Sequence, residues 1–114
     1  MLQISDYLGK EILAFNWIGY ISGAFELFAE GDKRIRVKKK NFWRILEGNT
    51  VIRTSLDRMT EKRCETMKSF FEGKKIISIS ESKQGDLSVR LSKGGILEIY
   101  AQTSGVEGFE LIRA

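Results

Sequence analysis

An α+β fold class follows from three features of this 114-residue chain. Apolar residues recur at every second position in short runs separated by glycine, the mark of antiparallel strands joined by hairpins. These runs come twice, in the same order. Between the two sets lies a stretch whose apolar residues recur at steps of three and four, the helical period. The predicted architecture is a mostly antiparallel β meander, two similar strand sets forming a curved sheet or half-barrel, with one central α-helix. It fits one domain over residues 1–114, with a pseudo-repeat at about 8–46 and 72–112 and a helix at about 55–72.

The strands of the two sets correspond in order. Gly9-Lys10-Glu11-Ile12-Leu13-Ala14-Phe15 in the first matches Gly73-Lys74-Lys75-Ile76-Ile77-Ser78-Ile79 in the second. Gly23-Ala24-Phe25-Glu26-Leu27 then matches Gly85-Asp86-Leu87-Ser88-Val89. Gly31 precedes Ile35-Arg36-Val37 as Gly94 precedes Leu97-Glu98-Ile99, and the sets close on Trp43-Arg44-Ile45 and Phe109-Glu110-Leu111. The second set reads as a continuous meander to Ile112, and Gly94-Gly95 as a hairpin turn. Val51-Ile52-Arg53-Thr54 is β-branched and suits an added short strand. In the helix, Ser55 is the candidate cap. Leu56, Met59, Cys64, Met67 and Phe71 fall near one face, with Arg58, Glu61, Lys62, Glu65 and Lys68 largely outside. Gly73 ends the helix.

Composition narrows the chemistry. There is no histidine, so the commonest general base and metal ligand are missing, and neither a Ser-His-Asp nor a Cys-His arrangement can form. Cys64 on the apolar helical face reads as buried and inert. Glu26 with Glu30, or Glu107 with Glu110, are the candidate carboxylate pairs, and their plain reading is solvated charge. The chain is expected not to be an enzyme and to need no cofactor or metal. A lone cysteine excludes an intrachain disulfide, and no apolar run approaches the roughly 20 residues of a membrane helix. With no signal-peptide pattern at the start, these point to the cytoplasm.

Binding chemistry is better represented. The run Lys33-Arg34-Ile35-Arg36-Val37-Lys38-Lys39-Lys40 holds the chain's basic excess: without it the formal charge of +4 falls below zero. Alternation puts Arg34, Arg36 and Lys38 on one strand face, with Ile35 and Val37 turned to the core. Such a strip suits an acidic protein surface or phosphates. Its plain reading is a solvated strand whose lysines prevent edge pairing. Few interleaved aromatics are present to stack on bases, which favours protein over nucleic acid. The second feature is Asn16-Trp17-Ile18-Gly19-Tyr20-Ile21-Ser22, an apolar segment where the later set has the polar Ser80-Glu81-Ser82-Lys83-Gln84. Longer strands would explain it, with Phe15, Trp17 and Ile21 extending the core face. Otherwise Trp17 and Tyr20 are candidate partner anchors.

Residues Phe71 to Ile112 also carry a resemblance. Gly73-Lys74 leading into Ile76 and Ile79, the run Gly85 to Ile99 and the closing Gly108-Phe109-Glu110-Leu111-Ile112 resemble small bacterial domains found beside polymorphic toxins. Some of these are immunity proteins of contact-dependent growth inhibition. Phe109 stands where that pattern would have tryptophan. The resemblance implies a cytoplasmic binder that captures a cognate toxin domain and blocks its active site, which needs specific complementarity and no chemistry of its own. It carries over no interface residues. The partner-binding candidates are therefore Trp17, Tyr20, Arg34, Arg36, Lys38, Lys39 and Lys40, from surface reasoning alone. A small nucleic-acid-binding or regulatory domain using the basic strand is the alternative.

Overall fold

The computed structural model describes residues 2–18, 24–38, 41–58, 60–101 and 108–113, the side chain of residue 113 excepted. Among them run nine strands: β1 (Ile12–Ile18), β2 (Ala24–Ala29), β3 (Lys33–Val37), β4 (Trp43–Glu47), β5 (Thr50–Thr54), β6 (Ile76–Glu81), β7 (Leu87–Leu91), β8 (Gly95–Ile99) and β9 (Phe109–Arg113). One α-helix, α1 (Glu61–Phe71), separates β5 from β6. The strands form two antiparallel sheets, in the orders β1-β2-β3-β9 and β5-β4-β8-β7-β6. The α+β class holds, and so does the short strand after β4.

Each strand set contributes a three-strand meander to its own sheet and sends its fourth strand to the other. β4 pairs with β8, and β9 pairs with β3. The registers of the two sets coincide. Trp17↔Phe25↔Val37↔Phe109 crosses the first sheet, and Glu81↔Leu87↔Ile99↔Trp43 crosses the second. The first strand of each set breaks register at the same point, between Ile12 and Ala14 and between Ile76 and Ser78. The sheets meet where β1 and β6 begin, through a Glu11↔Lys75 bridge and two reciprocal pairs of hydrogen bonds. Gly9 N donates to the Ile76 carbonyl at 2.8 Å as Gly73 N donates to Ile12 at 2.9 Å. Ile12 N donates to Lys74 at 2.8 Å as Ile76 N donates to Lys10 at 2.9 Å. Gly9 and Gly73 make these turns at φ +76° and +88°, where a Cβ costs roughly 1–2 kcal/mol. A pseudo-twofold axis therefore passes between Glu11 and Lys75.

The exchange of fourth strands corrects the expectation of a second set that meanders unbroken to Ile112. Charge supplies a reason. In the observed pairing Arg36 lies opposite Glu110, and Arg44 opposite Glu98. Folding β4 back onto β3 in the same register would set Arg44 against Arg36, and folding β9 onto β8 would set Glu110 against Glu98. Like charges directly opposite are destabilising and unlike charges favourable.

The inward rows meet in one core. Phe15, Phe25, Trp43 and Phe71 are buried, with Trp43 edge-on to Phe25 at 5.1 Å and Phe15 stacked on Phe71 at 5.8 Å. Such contacts add about 0.5–1.5 kcal/mol each beyond the area they bury. α1 packs against β1 and delivers Met67, Phe70 and Phe71 to this core. The helix is shorter than the predicted 55–72. Thr60 caps it, its hydroxyl accepting from Arg63 N at 3.2 Å. Ser55 instead accepts from Trp43 N at 3.2 Å, tying the end of β5 to β4, and Leu56 in the following turn is 83% exposed. Cys64 is half-buried rather than buried, and Met59 lies outside the described residues. β7 and β8 do form a hairpin, but its connection is the 3-10 turn Ser92–Gly94, and Gly95 already opens β8.

Candidate functional site

The outward face of the first sheet carries two rows of side chains across four strands. One row is Asn16↔Glu26↔Arg36↔Glu110 and the other Ala14↔Phe28↔Arg34↔Ile112. Ile35 and Val37 turn inward and are buried, so alternation placed Arg34 and Arg36 on the outer face. Arg34 Nη1 donates to Glu26 Oε2 at 2.9 Å and Arg36 Nη2 to Glu26 Oε1 at 3.3 Å, so one carboxylate holds two guanidinium groups. Only 8% of the Glu26 side chain is exposed, against 25% and 39% for the arginines. Arg34 also lies over the Phe28 ring, 5.5 Å from its centroid, a favourable cation–π geometry. The Nε groups of both arginines find no acceptor among the described residues. The result is a fixed pair of cations on a partly apolar surface, with a net local charge reduced by Glu26.

Of the other sequence candidates, the described residues include Lys38 and Trp17. Lys38, just beyond β3, is half-buried and donates its backbone N–H to Gly108 at 2.8 Å. Trp17 faces inward rather than onto the basic surface. Its indole stacks near Phe25 at 6.2 Å and meets Trp43 edge-on at 6.3 Å, which suits an extended core strand. The indole Nε1 is buried without an acceptor among the described residues. Tyr20, Lys39 and Lys40 lie outside the described residues, as does Glu107. Glu26 does not join Glu30 in a carboxylate pair: Glu30 accepts from Glu11 N at 2.6 Å while Glu26 is held by the arginines.

A second polar cluster occupies the outward face of the second sheet. Arg44 Nε donates to Glu98 Oε1 at 2.5 Å, and the Tyr100 hydroxyl donates to the same oxygen at 2.7 Å. Burial pushes the Glu98 carboxyl up, but the hydrogen bonds from Tyr100 and Arg44 and the charge of Arg44 outweigh it, leaving Glu98 below its ordinary value. Burial, and then donation to Glu98, raises Tyr100. A cleft of about 230 Å³ beside the cluster is lined by Ser80, Ser82, Asp86 and Ser88 among others. Asp86 is committed to structure, accepting from Ala101 N at 2.7 Å. The sequence signal was slight: Ser80 to Gln84 read as a plain polar hairpin, and Glu98 as one member of a strand alternation.

Burial raises the Cys64 thiol above its ordinary value, which keeps it protonated and weakly nucleophilic. Among the described residues no three His, Cys, Asp or Glu side chains are grouped to hold a metal ion, and no helix is long and apolar enough to cross a membrane. Comparison with protein-family models, with curated proteins and with solved structures finds no match.

Proposed function

We propose that this chain is a protein-binding module that docks an acidic partner surface on the outward face of β3. The observation that supports it is the Arg34–Glu26–Arg36 arrangement. Arginine is enriched among residues that dominate interface energetics, and its planar fork suits carboxylates. Holding both guanidinium groups in place before binding lowers the ordering cost of contact. Glu26 and the opposing Glu110 also reduce the positive field, which suits a protein carboxylate pair better than a run of phosphates. The resemblance of residues 71–112 to toxin-linked domains makes the specific form of the proposal an immunity protein, with a cognate toxin domain as partner and the cytoplasm as its place of action.

Capture of the tagged chain at moderate salt, with nuclease present, tests this. The expected result is one stoichiometric protein that is toxic when expressed alone. Arg36→Gln, which removes the charge without setting a carboxylate against Glu26 and Glu110, should weaken that complex by roughly 30-fold, the scale of a central interface arginine, without altering the circular dichroism spectrum. Recovery of nucleic acid alone from an untreated lysate, lost as salt rises, would replace this reading with the nucleic-acid one.

A further inference from the structure

We propose that the face around the pseudo-twofold axis, with Leu13 and Ile77 flanking the Glu11–Lys75 bridge, is a contact between two copies of this chain. It centres on β1 and β6, whereas the proposed docking surface centres on β3, two strands from β1.

The first support is a pair of exposed aliphatics at corresponding places. Leu13 is 56% exposed and Ile77 61% exposed, the most exposed large hydrophobics among the described residues after Leu56. Each occupies the register break of its strand, between Ile12 and Ala14 in β1 and between Ile76 and Ser78 in β6. An extra residue in a strand bends it and re-aims a side chain, and such breaks are designed features rather than defects. The neighbouring outward positions differ between the sets, Asn16 against Ser80 and Ala14 against Ser78, yet both breaks carry a large aliphatic.

The second support is charge. Glu11 and Lys75 are bridge partners of opposite sign at the axis, two residues before Leu13 and Ile77 respectively. Neither side chain forms an ion pair among the described residues. The pseudo-twofold exchanges the two positions while inverting the charge. A second copy turned over onto this face therefore sets Glu11 opposite Lys75 twice, with aliphatic groups beside them. A patch that complements itself suits the closed two-fold contact of a homodimer. A partner of unrelated sequence would have no need of that match.

Sedimentation velocity of the full chain tests the proposal. Wild type should pass from monomer to dimer between about 10 and 500 µM, the weak range expected of a small patch. Leu13→Ser with Ile77→Ser should abolish dimer over that range; both sites are exposed, and circular dichroism checks the fold. Glu11→Lys and Lys75→Glu, made separately, should each be monomeric, because like charges then face each other at both contacts. Mixing those two variants should restore association as a heterodimer, and combining both changes in one chain should restore the homodimer. A wild type that stays monomeric to about 500 µM, a dimer indifferent to Leu13→Ser with Ile77→Ser, or charge variants that fail to rescue one another would each overturn it.

Discussion

Glu26 shows how much a single residue's role depends on strands other than its own. It is buried on the outward face because Arg34 and Arg36, eight and ten positions later, fold over it. Removing it leaves the two guanidinium groups without the carboxylate that both bond. Both are partly solvated and can rehydrate, so Glu26→Ala should cost about 2 kcal/mol rather than the full penalty of a deeply buried pair, measurable by urea unfolding. Alternation alone revealed the face on which the arginines lie; the carboxylate between them required the β2–β3 register. At Glu98 and Tyr100 the consequence is pH dependence. The folded Glu98 carboxyl lies below its ordinary 4.5, so its contribution is present above that value and lost as pH falls through the folded pKa. The folded Tyr100 hydroxyl lies above its ordinary 10.0, so its contribution is present below that value and lost as pH rises through the folded pKa. Stability lost on Tyr100→Phe should thus be constant between about pH 6 and 9 and shrink at both extremes, as thermal unfolding at a series of pH values would show.

Elements were readable where their period was internal and unreadable where their limits depended on something else. Met67, Phe70 and Phe71 mark the helix, because steps of three and four place them on one face. Periodicity alone does not place its start, because Ser55 and Leu56 fit the same period. The Ser55 hydroxyl has a competing partner, the Trp43 N–H, and this ties the turn after β5 to β4. Thr60 has the Arg63 N–H and begins the helix. Thr60→Ala should therefore cost about 1 kcal/mol in chemical denaturation, whereas a cap at Ser55 would have made Thr60 a tolerant interior position. The strands tell the same story. Their existence and inward residues follow from alternation, except at Ile12-Leu13 and Ile76-Ile77, where two adjacent apolar residues leave open which one turns inward until the pairing shows it.

Across the whole molecule, the repetition in the chain was visible and the exchange was not. A strand's own residues describe its faces, whereas its neighbour is decided by what else competes to pair with it. Here the competitors differ in charge: Arg36 and Arg44 belong to one set, Glu98 and Glu110 to the other. That arrangement favours Arg36 with Glu110 and Arg44 with Glu98, the pairings observed, and penalises each set for closing on itself. It also explains how one surface displays groups from distant parts of the chain, since β9 completes the face that carries Arg34 and Arg36. The two sets should accordingly be obligate partners. Cutting between β5 and α1 tests this directly, by producing residues 1–57 and 58–114 separately and following circular dichroism and thermal unfolding alone and mixed. Neither fragment alone should unfold cooperatively, and an equimolar mixture should recover the spectrum and a cooperative transition. A monomeric fragment that folds and unfolds cooperatively by itself would contradict the exchange.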